Sequence, residues 1–258
     1  MMSIITLDKV SKIYQGVVPY EALKKIDLAV EEGEFLSIMG PSGSGKTTLL
    51  NIIATLDKPT NGQIEINKKD VSNLSKDELS LFRLKKIGFV FQDFNLLPPL
   101  TVEENIMLPL TLDNKSTTVM KIKAQKLMED LGISHLAKNR IHEASGGEKQ
   151  RIAIARALIN DPDIILADEP TGNLDSKAAG DVMSILSEIN LERKVTSIMV
   201  THDPISASYS NRVVFIKDGQ FYNDIYCGEH RELFYQNILD VLSHLGGTNH
   251  EFQSTRLS

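Results

Sequence analysis

Apolar positions along this chain fall into short runs separated by turns rich in glycine, proline and acidic residues, the arrangement expected of alternating strands and helices. Residues 3–10 and 22–30 carry apolar positions at strand spacing and predict two strands. Glu31, Glu32, Gly33 and Glu34 then turn the chain into an apolar run at 35–39, which predicts a buried strand, and 48–54 predicts a helix directly after it. A short strand over 63–66 follows the turn at Pro59, Thr60, Asn61 and Gly62. Ser75 with Glu78, and Thr101 with Glu104, stand at capping-box spacing, so each pair predicts a helix start. From about 95 to 160 the pattern is helical and includes an amphipathic run over 117–131 that Gly132 stops. Strand 163–167, helix 176–191 and strands 196–201 and 212–217 then restore the alternation. These elements predict an α/β fold with a parallel sheet, a β-rich start and an inserted helical lobe. In the tail, Phe234, Ile238, Val241 and Leu245 recur at helical spacing before Gly246 and Gly247. Such a stripe packs on its own domain or meets a dimer or membrane partner.

Composition narrows the class without naming a chemistry. The 258 residues suffice for one large or two-lobed domain, and 41% hydrophobic with 24% charged residues excludes disorder. A net charge of -6 argues against nucleic acid as the main partner. The single cysteine, Cys227, has no internal partner, and no Cys/His cluster has zinc spacing, which fits a reducing cytosol. The first residues read as a strand rather than a leader, and no run approaches the roughly 18 apolar residues of a membrane span.

Chemistry enters at Gly40, Pro41, Ser42, Gly43, Ser44, Gly45, Lys46, Thr47 and Thr48, which fit the phosphate-loop pattern between a predicted strand and a predicted helix. A strand feeding a glycine turn feeding a helix aims backbone N–H groups and the positive end of the helix dipole at one point, which suits a phosphate. Lys46 would reach the β- and γ-phosphates of a nucleoside triphosphate, and the Thr47 hydroxyl would face Mg²⁺. Asp168 and Glu169 end a second apolar strand, as Walker B acids do: Asp168 to hold the metal shell, Glu169 to polarise the attacking water. His202 ends a third strand, where an imidazole can contact the γ-phosphate or orient that water. Ser145, Gly146, Gly147 and Glu148 precede an apolar helix and admit two readings. One is an ordinary capping box. The other is a second anion site, with Ser145 as an added donor, which suggests that two chains share nucleotide at their interface.

In this order the motifs resemble those of the ATP-binding cassette ATPases over residues 1–226. The resemblance implies a RecA-like P-loop core with an N-terminal antiparallel β subdomain and a helical lobe at about 95–160, followed by a C-terminal helical extension at 227–258. It also implies a head-to-tail homodimer sandwiching two ATP molecules, each between the phosphate loop of one chain and Ser145, Gly146 and Gly147 of the other. Tyr14 would stack on adenine, and Gln92 would sense Mg²⁺ and γ-phosphate and pass closure to a separate membrane permease through the segment that follows. Ala144 and Glu148 depart from the commonest signature, which has leucine and glutamine there. Either residue at 148 can close the capping box, while the added charge opposes ATP-driven closure. Phe89, Val90 and Phe91 before Gln92, with the segments around Asp168 and His202, resemble the branch serving macrolide exporters, lipoprotein-release machines and cell-division complexes. The tail is similar to ATPase subunits of bacitracin-type transporters, which protect against cell-wall-directed peptides. That likeness places the chain on the cytoplasmic face of the membrane, with a sensor kinase reached through the permease as a further partner. Two other readings stay open: a mechanical ATPase of translation or DNA maintenance, and a signalling ATPase that regulates cell-wall enzymes through a membrane protein. The linker or coiled-coil insertion expected of the first is absent from the sequence.

Overall fold

In the computed structural model, which describes residues 2–246, the chain opens with β1 (Ser3–Tyr14), β2 (Tyr20–Glu31) and β3 (Phe35–Met39), and β3 feeds helix α1 (Lys46–Ile53). Next come β4 (Asn61–Ile66), β5 (Lys69–Asp70), α2 (Lys76–Lys86) and β6 (Ile87–Phe91). Three helices follow, α3 (Val102–Leu112), α4 (Thr117–Asp130) and α5 (Gly146–Leu158). The chain then alternates through β7 (Ile164–Asp168), α6 (Ser176–Arg193), β8 (Thr196–Val200), α7 (Pro204–Ala207) and β9 (Arg212–Lys217), and ends in β10 (Gln220–Tyr226) and α8 (Arg231–Gly246).

The strands form two sheets. An antiparallel one has the order β2-β1-β4-β5, and a six-stranded one has the order β10-β9-β3-β8-β7-β6. In the second sheet β9, β3, β8, β7 and β6 run parallel, and β10 closes one edge antiparallel to β9. The centre of this sheet is built from residues buried on both faces, as parallel strands require. Leu36 and Ile38 of β3, with Ile164 and Leu166 of β7, face a core shared with α1 and the antiparallel sheet. Ile165 and Ala167 of β7 point the other way, into a core with α3, α4, α5 and α6. Register puts the strand ends level: Ile38 and Asp168 both pair with Val200, and Phe91 pairs with Asp168. The residues after β3, β6, β7 and β8 therefore emerge along one edge.

Local signals act as the sequence predicts. Ser75 and Thr101 close capping boxes with Glu78 and Glu104, and Gly132 follows α4 at a φ of 67°. Differences have physical causes. β1 runs on to Tyr14, past the predicted end at residue 10, because repeated shifts in its register with β2 break the alternation while pairing continues. β6 and β10 fall outside the predicted strands. Gly88 interrupts β6 where a Cβ would meet the Ala157 carbonyl at 2.5 Å, and β10 is mostly exposed. Of the two readings of the tail stripe, packing on its own domain is the one seen: Phe234, Ile238 and Leu245 are buried with Met39, Ala207, Val213 and Phe215. The expected extension beyond Gly246 lies outside the described residues.

Candidate nucleotide site

The loop after β3 is built around its glycines. Gly45 caps α1 with a φ of 103°, and a Cβ there would stand 2.6 Å from the Ala22 carbonyl oxygen. A Cβ on Gly40 would collide with the Ile216 carbonyl, whereas one on Gly43 would meet nothing within 4 Å. The loop is thus pressed against β2 and β9 at its ends and open at its middle. Pro41, Ser42 and Thr47 are exposed and Thr48 is half-buried. The Ser44 hydroxyl is buried with no hydrogen-bond partner among the described residues, an unpaired donor inside a phosphate-type cradle. Lys46 is only 8% exposed and its Nζ donates to the Gly40 and Pro41 carbonyls, 2.9 Å each. Burial pushes its pKa down while the charges of Glu169 and Asp168 act to raise it.

The aromatic side of the cradle holds two tyrosines. Tyr14 and Tyr20 lie opposite each other across β1 and β2. Tyr14 donates to Asp57 Oδ2 at 2.9 Å, with Lys12 Nζ 4.9 Å from its ring centre, and the residue as a whole is 40% exposed. Tyr20 donates to the Gly43 carbonyl at 3.1 Å and so joins the hairpin to the open part of the loop. The sequence offers no motif for Tyr20, whose role depends on the strand register.

On the same edge, burial raises the pKa of Asp168, reinforced by Glu169 and opposed by Lys46. Glu169 leaves β7 with a φ of 46°, its N–H donating to the Val200 carbonyl at 2.9 Å. His202 Nδ1 lies 2.9 Å from Glu169 Oε2, with the imidazole side chain 67% exposed. A carboxylate and an imidazole in contact, one of them open to solvent, can together hold a water and take its proton. Gln92 follows β6 and packs on Gly172, where a Cβ would approach its Nε2 to 2.7 Å; its carbonyl accepts from Asn173 Nδ2 at 3.0 Å. No three His, Cys, Asp or Glu side chains form a protein-only metal cage among the described residues. Mg²⁺ needs only one or two protein oxygens beside substrate phosphates, which the Asp168 carboxylate and the Thr47 hydroxyl would suit.

Ser145, Gly146, Gly147 and Glu148 begin α5 as a closed capping box. Glu148 Oε2 accepts from Ser145 N–H at 2.8 Å and from the Ser145 hydroxyl at 2.7 Å, and Glu148 N–H donates to Ser145 Oγ at 3.4 Å. The Ser145 side chain comes first among the bonds that hold the Glu148 carboxyl below the usual range. His135 Nε2 sits 3.4 Å from the other oxygen, a contact that becomes visible only in the fold. The cavity over this helix start is also lined by Asn173 and Asp175, and among the described residues no part of the 40–48 loop lines it.

A phosphate loop after the central strand, with acids and an imidazole at neighbouring strand ends, defines a P-loop nucleoside-triphosphatase. Residues 23–172 match the family model described as ABC transporter, and the chain belongs to this family of ATP-hydrolysing transporter motors. It is 55% identical over 257 residues to the ABC transporter ATP-binding protein YxdL of Bacillus subtilis, covering 100% of both chains. It is 48% identical over 232 residues to the bacitracin export ATP-binding protein BceA of Halalkalibacterium halodurans, covering 90% of this chain and 92% of that one. Among solved structures, the dimeric ATP-binding cassette MJ0796 in a post-hydrolysis state with ADP and Pi is similar at a TM-score of 0.81 and 43% identity, covering 88% of this chain and 100% of that one.

Proposed function

We propose that two copies of this chain form the paired motor of a transporter that protects cells against cell-wall-directed peptides such as bacitracin. The observation that carries the motor reading is the convergence of Lys46, Asp168, Glu169 and His202 on one sheet edge. In this reading Tyr14 offers its exposed ring to adenine, and the loop N–H groups with Lys46 hold the phosphates. Asp168, Thr47 and Gln92 would hold Mg²⁺, which would supply charge neutralisation at the phosphates. Glu169 accepts the proton of the attacking water, and His202 holds Glu169 and that water in line. Ser145, Gly146 and Gly147 of the second copy close over the γ-phosphate. The dimeric state of the MJ0796 cassette supports the pairing.

No helix among the described residues is long and apolar enough to cross a membrane. In this reading a membrane permease moves the cargo. The chain then works at the cytoplasmic face of the membrane. An apolar groove whose lining includes Phe89, Phe91, Leu108, Leu112 and Arg156 reaches the residue before Gln92 and supports a permease contact there. Phe89 and Phe91 stack with ring centres 5.0 Å apart. The likeness to the bacitracin export protein BceA supports the peptide substrate, and a sensor kinase engaged through the permease is the further partner in this reading. The test is to express the chain with the membrane protein that copurifies with it. Tolerance to bacitracin should rise, and should stay at the baseline with Lys46→Ala. Unchanged tolerance with an active ATPase would reject the substrate while leaving the motor intact.

A further inference from the structure

We propose that α8 braces the catalytic edge, with Arg231 positioning His202 and Glu169 through α7, an inference that rests on the roles just given to those two residues. Phe234, Ile238 and Leu245 fix the buried face of α8, and Arg231, itself exposed, opens the helix one turn before Phe234. Its guanidinium carbon is 3.3 Å from the centre of the Tyr209 ring, and its Nε donates to Ser208 Oγ at 3.0 Å. Because Arg231 only donates, the Ser208 hydroxyl is left to donate to the Ile205 carbonyl at 2.6 Å, closing the last turn of α7.

The other end of α7 is tied to the site. Asp203, next to His202, accepts from the N–H groups of Ile205 and Ser206 and from the Ser206 hydroxyl at 2.6 Å. The Ser206 hydroxyl in turn meets Thr171 Oγ1 at 3.1 Å, in a buried contact two residues after Glu169. Tyr209 lines the same 280 Å³ cavity as Glu169 and His202. A four-residue helix has little stability of its own, so its place is set by what holds its two ends. The exposed His202 ring has little packing to fix it and depends on that backbone. Arg231 is therefore a positioning residue: it acts on the spacing of Glu169 and His202 without touching either.

The experiment measures single-turnover ATP hydrolysis, ATP affinity and Tm for the full chain as wild type, Arg231→Ala, Arg231→Lys and His202→Ala. A misplacement on the order of 1 Å costs up to about 100-fold in rate, so Arg231→Ala should lose about 10- to 100-fold with ATP affinity and Tm unchanged. Arg231→Lys, which keeps a cation over the ring, should recover most of the rate. Should Arg231→Ala not fold, Arg231→Gln, which keeps a donor and loses the charge, carries the comparison. Unchanged turnover in Arg231→Ala beside an inactive His202→Ala would overturn the brace and leave the catalytic reading standing. A rate loss matched by weaker ATP binding and a lower Tm would also overturn it, since that is plain structural damage. Normal turnover in His202→Ala would overturn the catalytic reading itself, and the brace with it.

Discussion

Lys46 holds a buried ammonium between two carbonyls and within the field of two acids, an arrangement that suits exchange onto a triphosphate. Lys46→Ala should abolish tight ATP binding and lower hydrolysis by on the order of 10²-fold or more; near-native turnover would remove the loop from the mechanism. Glu169 takes the complementary part. Glu169→Gln keeps size and polarity but removes the base, so ATP should still bind while hydrolysis falls by roughly 10² to 10⁴, and closed dimers should accumulate with ATP and Mg²⁺. A variant that stays monomeric on sizing under all nucleotide conditions would contradict the shared site. At Glu148 one carboxylate oxygen takes both the N–H and the hydroxyl proton of Ser145, so a ligand has to compete with Glu148 for that hydroxyl proton. Glutamine at this position keeps an acceptor for the N–H and removes the charge. Glu148→Gln should therefore lower the ATP concentration needed for half-maximal dimer formation, and a higher requirement would show that the acid assists closure.

Three helices begin with the same device, a hydroxyl at the cap and a glutamate three residues on: Ser75 with Glu78, Thr101 with Glu104, and Ser145 with Glu148. In each the bonds to the cap residue hold the glutamate pKa below its ordinary value. A folded pKa below the unfolded one gives stability that is present above the unfolded value of about 4.3 and lost as pH falls through the folded value. Replacing all three glutamates by glutamine, which still caps, should flatten the fall of Tm below about pH 5 and change Tm little at neutral pH. An unchanged acid slope would mean that other carboxylates carry the transition. These caps, the phosphate loop and the central strands were legible in the sequence because each is local: a spacing of three residues, or one apolar run beside one glycine turn. The approach of His202 to Glu169 was legible only as a shared edge. Its distance depends on β8 inserting between β3 and β7, an order that no local pattern states. Tyr20 on Gly43 and Arg231 on Tyr209 were not legible at all, since each joins elements through a register or a helix face set by packing.

At the scale of the whole molecule, the helix start at Ser145 opens into a cavity apart from the phosphate loop, so a role in hydrolysis requires a second copy of the chain. If the segment were only a cap, Ser145→Ala would cost about 1 kcal/mol of stability and leave turnover nearly intact in folded protein. As a trans site it predicts more. Ser145→Arg fills the space meant for the γ-phosphate, so ATP should still bind to the chain's own loop while dimer closure and hydrolysis fail. The decisive measurement mixes this variant with the equally inactive Lys46→Ala. In a two-fold dimer each site takes its loop from one chain and its helix start from the other, so a mixed pair holds one site with both parts intact and one with both defects. Random pairing makes about half of the dimers mixed, each with one working site of two, so about a quarter of wild-type turnover should return if the sites act independently. Recovery below that level would measure how far one site depends on the other. A folded Ser145→Arg dimer that hydrolyses ATP at the normal rate would instead confine catalysis to a single chain and leave the capping box as the whole meaning of the segment.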